Sequence, residues 1–201
     1  MIDIFLKAKH WQLFIVMLGI PVLFQFYTMY NMFSGFEMES NPNPENVMDM
    51  FQVFPIIMIL FTGVFFGWFW SIAIGLQKEI PQEVKMKVKK FKAFFFIPLV
   101  YIIFLMIYIG ALFSEIGIND SNSGWIVALI LPLHLFSMFC IFYSMYFVAK
   151  TIKTAELQRK VGFGDFAGEF FLLWFYFIGI WIIQPKVNKL YGKEKTTANN
   201  I

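Results

Sequence analysis

At 201 residues, with 59% hydrophobic and only 14% charged side chains, the chain lies outside the range of soluble domains, where about 25% of residues are charged. Its formal charge of +3 sorts by segment into an asymmetry between two faces of a bilayer, so it does not call for nucleic acid as a partner. Almost no residues are left for a separate soluble domain, and the chain reads as a single integral membrane unit.

The first apolar segment runs from about 11 to 33. Lys7 and Lys9 precede it and no small-residue cleavage site follows, so it reads as an uncleaved signal anchor. The segment from Ser34 to Asp49 is acidic and contains Asn41-Pro42-Asn43-Pro44, which predicts an irregular external loop. A second span covers about 51–76. The segment from Lys78 to Lys92 is lysine-rich; Pro81 and Glu83 suit a first helical turn there, with Val84, Val88 and Phe91 on one face. A third span covers about 94–118 and a fourth about 125–149, each long enough for about 30 Å of hydrocarbon. Pro98 is expected to kink the third. All sixteen Lys and Arg residues fall on one side of this arrangement. Positively charged loops face the cytoplasm, and the juxtamembrane lysines attract anionic headgroups by about 1 kcal/mol each. Trp11, Tyr27, Tyr30, Trp68, Trp70 and Trp125 lie toward span ends, as expected of an interfacial aromatic belt.

After the fourth span, Thr154 to Val161 is expected to add a helical turn or two, closed by Gly162 and Gly164, with Asp165 placed to cap the next helix. The fifth apolar stretch, 166–183, contains Glu169 and Gly179 and ends at Gln184-Pro185. A full crossing puts Lys186, Lys189, Lys193 and Lys195 on the acidic side, against the pattern of every other segment. A re-entrant or interfacial hairpin bending near Gly179 returns the 184–201 tail to the basic side. The expected fold is thus an all-α membrane protein of four transmembrane helices plus a carboxy-terminal re-entrant or interfacial segment, with five transmembrane helices as the alternative.

Chemistry-bearing residues are sparse. Gly63, Gly67, Ser71 and Gly75 recur every four residues on the second span, a small-residue face for close helix approach within the chain or with a partner. Gly110 and Ser114 repeat it more briefly. His134 lies about 15 Å inside the fourth span, near the midplane, with Ser137 and Ser144 on a similar face and Cys140 beside it. The lone cysteine rules out an intramolecular disulfide. Glu115 and Glu169 are acids at the ends of apolar segments, for which structural roles suffice. No phosphate-binding glycine loop, HExxH pair or GxSxG elbow is present, so catalytic, cofactor and metal sites are all expected to be absent.

Two stretches, HLFSMFCIFYSMYFVAKTIKTAELQ (134–158) and GEFFLLWFYFIGIWIIQPKVNKLYG (168–192), resemble a group of small uncharacterised multi-pass bacterial inner-membrane proteins with a GEFxxxWFxxIGIWxIQPxxNK signature. The resemblance covers about a quarter of the chain closely and implies a bacterial inner-membrane location with the amino terminus cytoplasmic. It brings no substrate, cofactor or catalytic residue. The family's usual proline before IGIW is replaced here by Phe177. The functional expectation is a non-enzymatic accessory or scaffold subunit whose partners are the bilayer and a protein or a second copy. The rival is a small oligomeric transporter or channel using His134.

Overall fold

A computed structural model describes residues 2–38, 44–114 and 123–198. These residues are mainly helical, with no strands among them. The helices are α1 (Ile2–Lys7), α2 (His10–Phe14), a π-helical turn (Ile15–Gly19), α3 (Ile20–Met38), α4 (Pro44–Gly75), a 3-10 turn (Leu76–Glu79), α5 (Val88–Ser114), α6 (Ser123–Leu157), α7 (Phe163–Trp174) and α8 (Tyr176–Ala198). Four stretches are long and apolar enough to cross a membrane: His10–Asn31, Ile56–Glu79, Val88–Tyr108 and Ala128–Leu157. They fall on the four expected spans. In the first, α2, the π turn and α3 follow without interruption. The widened turn sits just before Pro21, whose missing N–H breaks the regular ladder.

Three local expectations change. The acidic segment is mostly helical, since α3 continues to Met38 and α4 starts at Pro44; only 39–43 of it fall outside the described residues. Pro44 occupies the first helical position, where its missing donor costs nothing. After the 3-10 turn ends at Glu79, the lysine-rich segment is not helical until Val88. Val84, Met86 and Val88 are half-buried and alternate with the exposed Lys85 and Lys87, a period of two that suits an extended chain lying on the core. Trp68 is fully buried and does not belong to an interfacial belt, whereas Trp11, Tyr27 and Tyr30 are exposed. The outer segment around Glu115 and 119–122 lies outside the described residues.

The end of α6 is set by Gln158, which adopts the left-handed conformation (φ 52°). Its side chain holds the turn by donating to the Ala155 and Glu79 carbonyls, both at 2.7 Å. Asp165 caps α7 as expected, from the third helical position, by accepting the Gly162 N–H at 2.8 Å.

The last apolar stretch is a helical hairpin. Lys186 Nζ on α8 lies 2.8 Å from Glu169 Oε1 on α7, so the chain has doubled back alongside the middle of α7. A straight helix separates those positions by about 25 Å. The reversal is at Phe175, four residues earlier than expected, where the backbone leaves the helical region (φ −90°, ψ 58°). The Phe175 carbonyl accepts from the N–H groups of Ile178 and Gly179 and so starts α8. Gly179 serves the hairpin in another way, since a Cβ there overlaps the Leu172 carbonyl oxygen on the facing arm. Only glycine allows the two backbones this approach. Tyr176, at the tip, packs on Phe61 and Phe65 of α4, both at 5.7 Å. Phe65 is about 15 Å from the end of α4 at Gly75, so the tip packs near the middle of the second span.

The buried core is concentrated at the basic end. It joins Leu6 and Met17, Phe66–Leu76 of α4, Phe91 and Phe95 of α5, Met145–Ala155 of α6 and the inward faces of α7 and α8. Phe91 stacks on Phe147 at 4.6 Å and links α5 to α6. Toward the other end, Leu23, Phe26, Leu60, Ile107, Leu129 and Leu131 are each at least 60% exposed, surfaces that lipid tails cover without cost. We expect Gly179→Ala to lower stability in detergent by about 3 kcal/mol or more, because backbone must move. Gly168→Ala on α7, where a Cβ meets nothing within 4 Å, should be neutral or stabilising by about 0.5–1 kcal/mol; thermal unfolding of the two variants checks the contrast.

Candidate functional site

The small-residue face of α4 is occupied by the chain itself. A Cβ on Gly67 comes within 2.8 Å of the Phe5 ring, and one on Gly75 collides with Leu6 while lying 3.0 Å from Ile2. Ile2, Phe5 and Leu6 form one face of α1, and that face lies in the Gly67–Ser71–Gly75 groove. Gly63 lies beyond this contact, with nothing within 4 Å of a Cβ. Ser71 is fully buried, and its Oγ is a buried side-chain polar atom without a hydrogen-bond partner among the described residues. Of the stripe, Gly67 and Gly75 thus meet α1 of the same chain.

A helix of six residues has too few internal bonds to persist alone, and α1 is held by side chains from the far end of the chain. Gln184, fully buried on α8, accepts the Trp68 indole N–H at 2.7 Å. Its amide shares two hydrogens among the Phe5 carbonyl (2.8 Å), the Ala8 carbonyl (2.9 Å) and Asn188 Oδ1 (2.7 Å). Asn188 in turn donates to the Ala8 carbonyl at 3.0 Å. The carbonyls that α1 leaves unpaired at its C-terminal end are thus capped from α8. At the other end of α1, Tyr191 donates to Asp3 at 2.6 Å. An open cleft of about 320 Å³ lies beside this junction, lined by Leu6, Lys7, Asn188, Tyr191 and Gly192.

A second polar cluster closes the hairpin against α6. Lys153 contacts Glu156 at 2.9 Å and Glu169 at 3.3 Å; Lys186 contacts the same two carboxylates at 3.0 and 2.8 Å. Glu169 is nearly buried. Burial alone raises its carboxyl pKa, but the hydrogen bonds and charges of Lys186 and Lys153 outweigh this and hold it below the ordinary 4.5. The Asp165 carboxyl is lowered too, by the Gly162 N–H first and then by Arg159 at 3.0 Å. Each carboxylate of the ring is matched by an ammonium, so the cluster leaves no free base and acts as an ionic tie.

The membrane-depth residues do not converge. His134 faces outward from α6, with Nδ1 3.2 Å from the hydroxyl of Tyr101 on α5. Ser137 and Ser144 are buried, and Ser144 bonds back to the Cys140 carbonyl at 2.9 Å. His134 and the two serines therefore do not share one lining. Among the described residues no group of three or more His, Cys, Asp or Glu is placed to hold a metal ion. The surroundings of Gly110 and the side chain of Ser114 are outside what is described.

Sequence reasoning does not single out Gln184, Asn188 or the burial of Trp68, nor the pairing of Lys153 with Lys186. One signal is present: Gln184 and Asn188 stand four apart in an otherwise apolar-to-basic transition, which puts two amides on one helix face. No protein-family model matches this chain, nor does any curated protein or solved structure compared with it.

Gln184→Leu removes the partner of the Trp68 N–H and the amide that reaches the Phe5 carbonyl, while the Ala8 carbonyl keeps Asn188, at about 1–3 kcal/mol for each buried group left unpaired. We expect trypsin to cut after Lys7 and Lys9 much faster in this variant than in the parent. For Glu169, a lowered folded pKa means stabilisation that is complete above 4.5 and lost as pH falls through the depressed value. The melting-temperature gap between the parent and Glu169→Gln should therefore be constant from pH 8 to 6 and shrink on acidification below about pH 4.

Proposed function

We propose that this chain is a non-enzymatic multi-pass protein of a bacterial inner membrane, with its basic side in the cytoplasm, serving as an accessory or scaffold subunit of a membrane complex. The observation that carries the reading is where the polar groups are used. Trp68, Gln184, Asn188 and the Lys153–Glu156–Glu169–Lys186 ring each tie one helix to another. Ser144, Thr151 and Thr154 bond to carbonyls one turn back in α6. Such groups brace a scaffold and offer little to a passing solute. The charge asymmetry supports the orientation, and the likeness of 134–158 and 168–192 to small bacterial membrane proteins supports the location.

The second reading, a small oligomeric transporter or channel, is favoured by one observation: His134 is exposed at a depth where ionisable residues usually face protein or water. His134→Leu separates the two. On the scaffold reading the variant keeps membrane abundance and phenotype; loss of phenotype at normal abundance favours transport. The direct test is purification of the tagged protein in mild detergent at native expression. A stoichiometric partner protein is expected, and a homogeneous homo-oligomer alone overturns the accessory role. A topology reporter fused after Ala198 should register cytoplasm; a periplasmic signal refutes the orientation.

A further inference from the structure

The cations of the basic side differ in how their charge is met. Lys153, Lys186 and Arg159 are neutralised by Glu156, Glu169 and Asp165. Lys85, Lys87, Lys89, Lys90 and Lys92 are all exposed, and among the described residues none of them forms an ion pair. The first turn of α5, which follows the extended strap, carries no acid. Glu83 is the nearest acid before the strap in sequence, and it too makes no ion pair among the described residues. Five like charges within eight residues are thus presented together without an ion pair among the described residues, a concentration of positive potential that attracts anions.

The geometry also fixes the height of these charges. Met86 and Val88 pack against the core while Lys85 and Lys87 point away from it, about 7 Å apart along an extended chain. Lys92 Nζ stands 5.7 Å over the Trp70 ring. Lys90 Nζ stands 5.5 Å over Phe94 and 5.3 Å over Tyr143. Trp and Tyr collect at the level of lipid headgroups, and the rings hold two of the ammoniums at that level.

We propose that the strap from Lys85 to Lys92 is a binding surface for anionic phospholipid headgroups, which it selects over zwitterionic ones. The proposal rests on the membrane reading but is independent of the scaffold assignment. The phosphodiesters of neighbouring lipids supply negative charge, and the non-helical stretch 85–87, with its lysines exposed, followed by the first turn of α5 spreads the cations over several headgroups. A net-neutral headgroup offsets each contact with its own cation.

The test is native mass spectrometry of the full-length protein in nonionic detergent, titrated with phosphatidylglycerol or phosphatidylcholine of the same acyl chains. Adducts with phosphatidylglycerol should form at concentrations at least about tenfold lower. Replacing all five lysines with Gln should bring the two lipids level, whereas Lys160→Gln with Lys189→Gln, two exposed lysines elsewhere, should keep the preference. Inorganic phosphate at millimolar concentration should not displace the lipid. Equal binding of both lipids by the parent, or an undiminished preference in the five-Gln protein, overturns the proposal. Should the five-Gln protein fail to fold, Lys85→Gln with Lys87→Gln, which touches neither helix nor ring, is expected to lose part of the preference, and no loss there refutes it equally. Copurification of a protein partner is read separately and is unaffected by either result.

Discussion

The buried amide of Gln184 connects three parts of the chain that lie far apart in sequence. Its oxygen accepts the Trp68 indole N–H from the second span, and its NH2 donates to the carbonyls at the C-terminal end of α1. Each of these groups is costly to leave unpaired where water is absent. The amide, with two donors and an acceptor, serves all of them from one position. The placement of α1 against Gly67 and Gly75 of α4 follows. Apolar packing in lipid is weakly directional because lipid tails solvate leucine as well as protein does, so hydrogen bonds decide which helix face meets which.

The hairpin illustrates how an irregular backbone is tolerated at membrane depth. At Phe175 the helical ladder is broken, yet the Phe171 and Phe175 carbonyls both accept backbone N–H groups. The close approach at Gly179 lets the two arms shield this turn. Outside, Trp174, Phe175, Phe177 and Trp181 are exposed, a set of rings suited to acyl chains and glycerol. At the open end the ionic ring of Lys153, Glu156, Glu169 and Lys186 holds both arms to α6.

Hydropathy makes the four spans legible, because about 20 apolar residues are demanded by bilayer thickness alone. The reversal in the fifth stretch is legible only as a conflict of charge, since a fifth crossing strands four lysines on the wrong side. Its position is not, because Phe175 is neither glycine nor proline and the turn depends on contacts across the hairpin. The lysine strap reads as helix when Pro81 and Glu83 carry the weight; the alternation of Val84, Met86 and Val88 with lysines is the visible sign of the extended chain found there. The polar junction is illegible for a simpler reason. Gln184 and Phe5 are 179 positions apart, and no local pattern announces a pairing over that distance.

That separation has a consequence for how the molecule is made. While the chain is being synthesised, α4 enters the bilayer with its glycine face formed, but the side chains that hold α1 there have not yet been translated. Through the addition of two more spans and the first arm of the hairpin, α1 has only its small apolar face to keep it in place. Docking becomes secure when Gln184 and Asn188 emerge, so a groove formed on α4 is closed by a residue 116 positions after Trp68. Until then Gly67 and Gly75 present an open surface to whatever other helices share the bilayer, and the completed fold withdraws it.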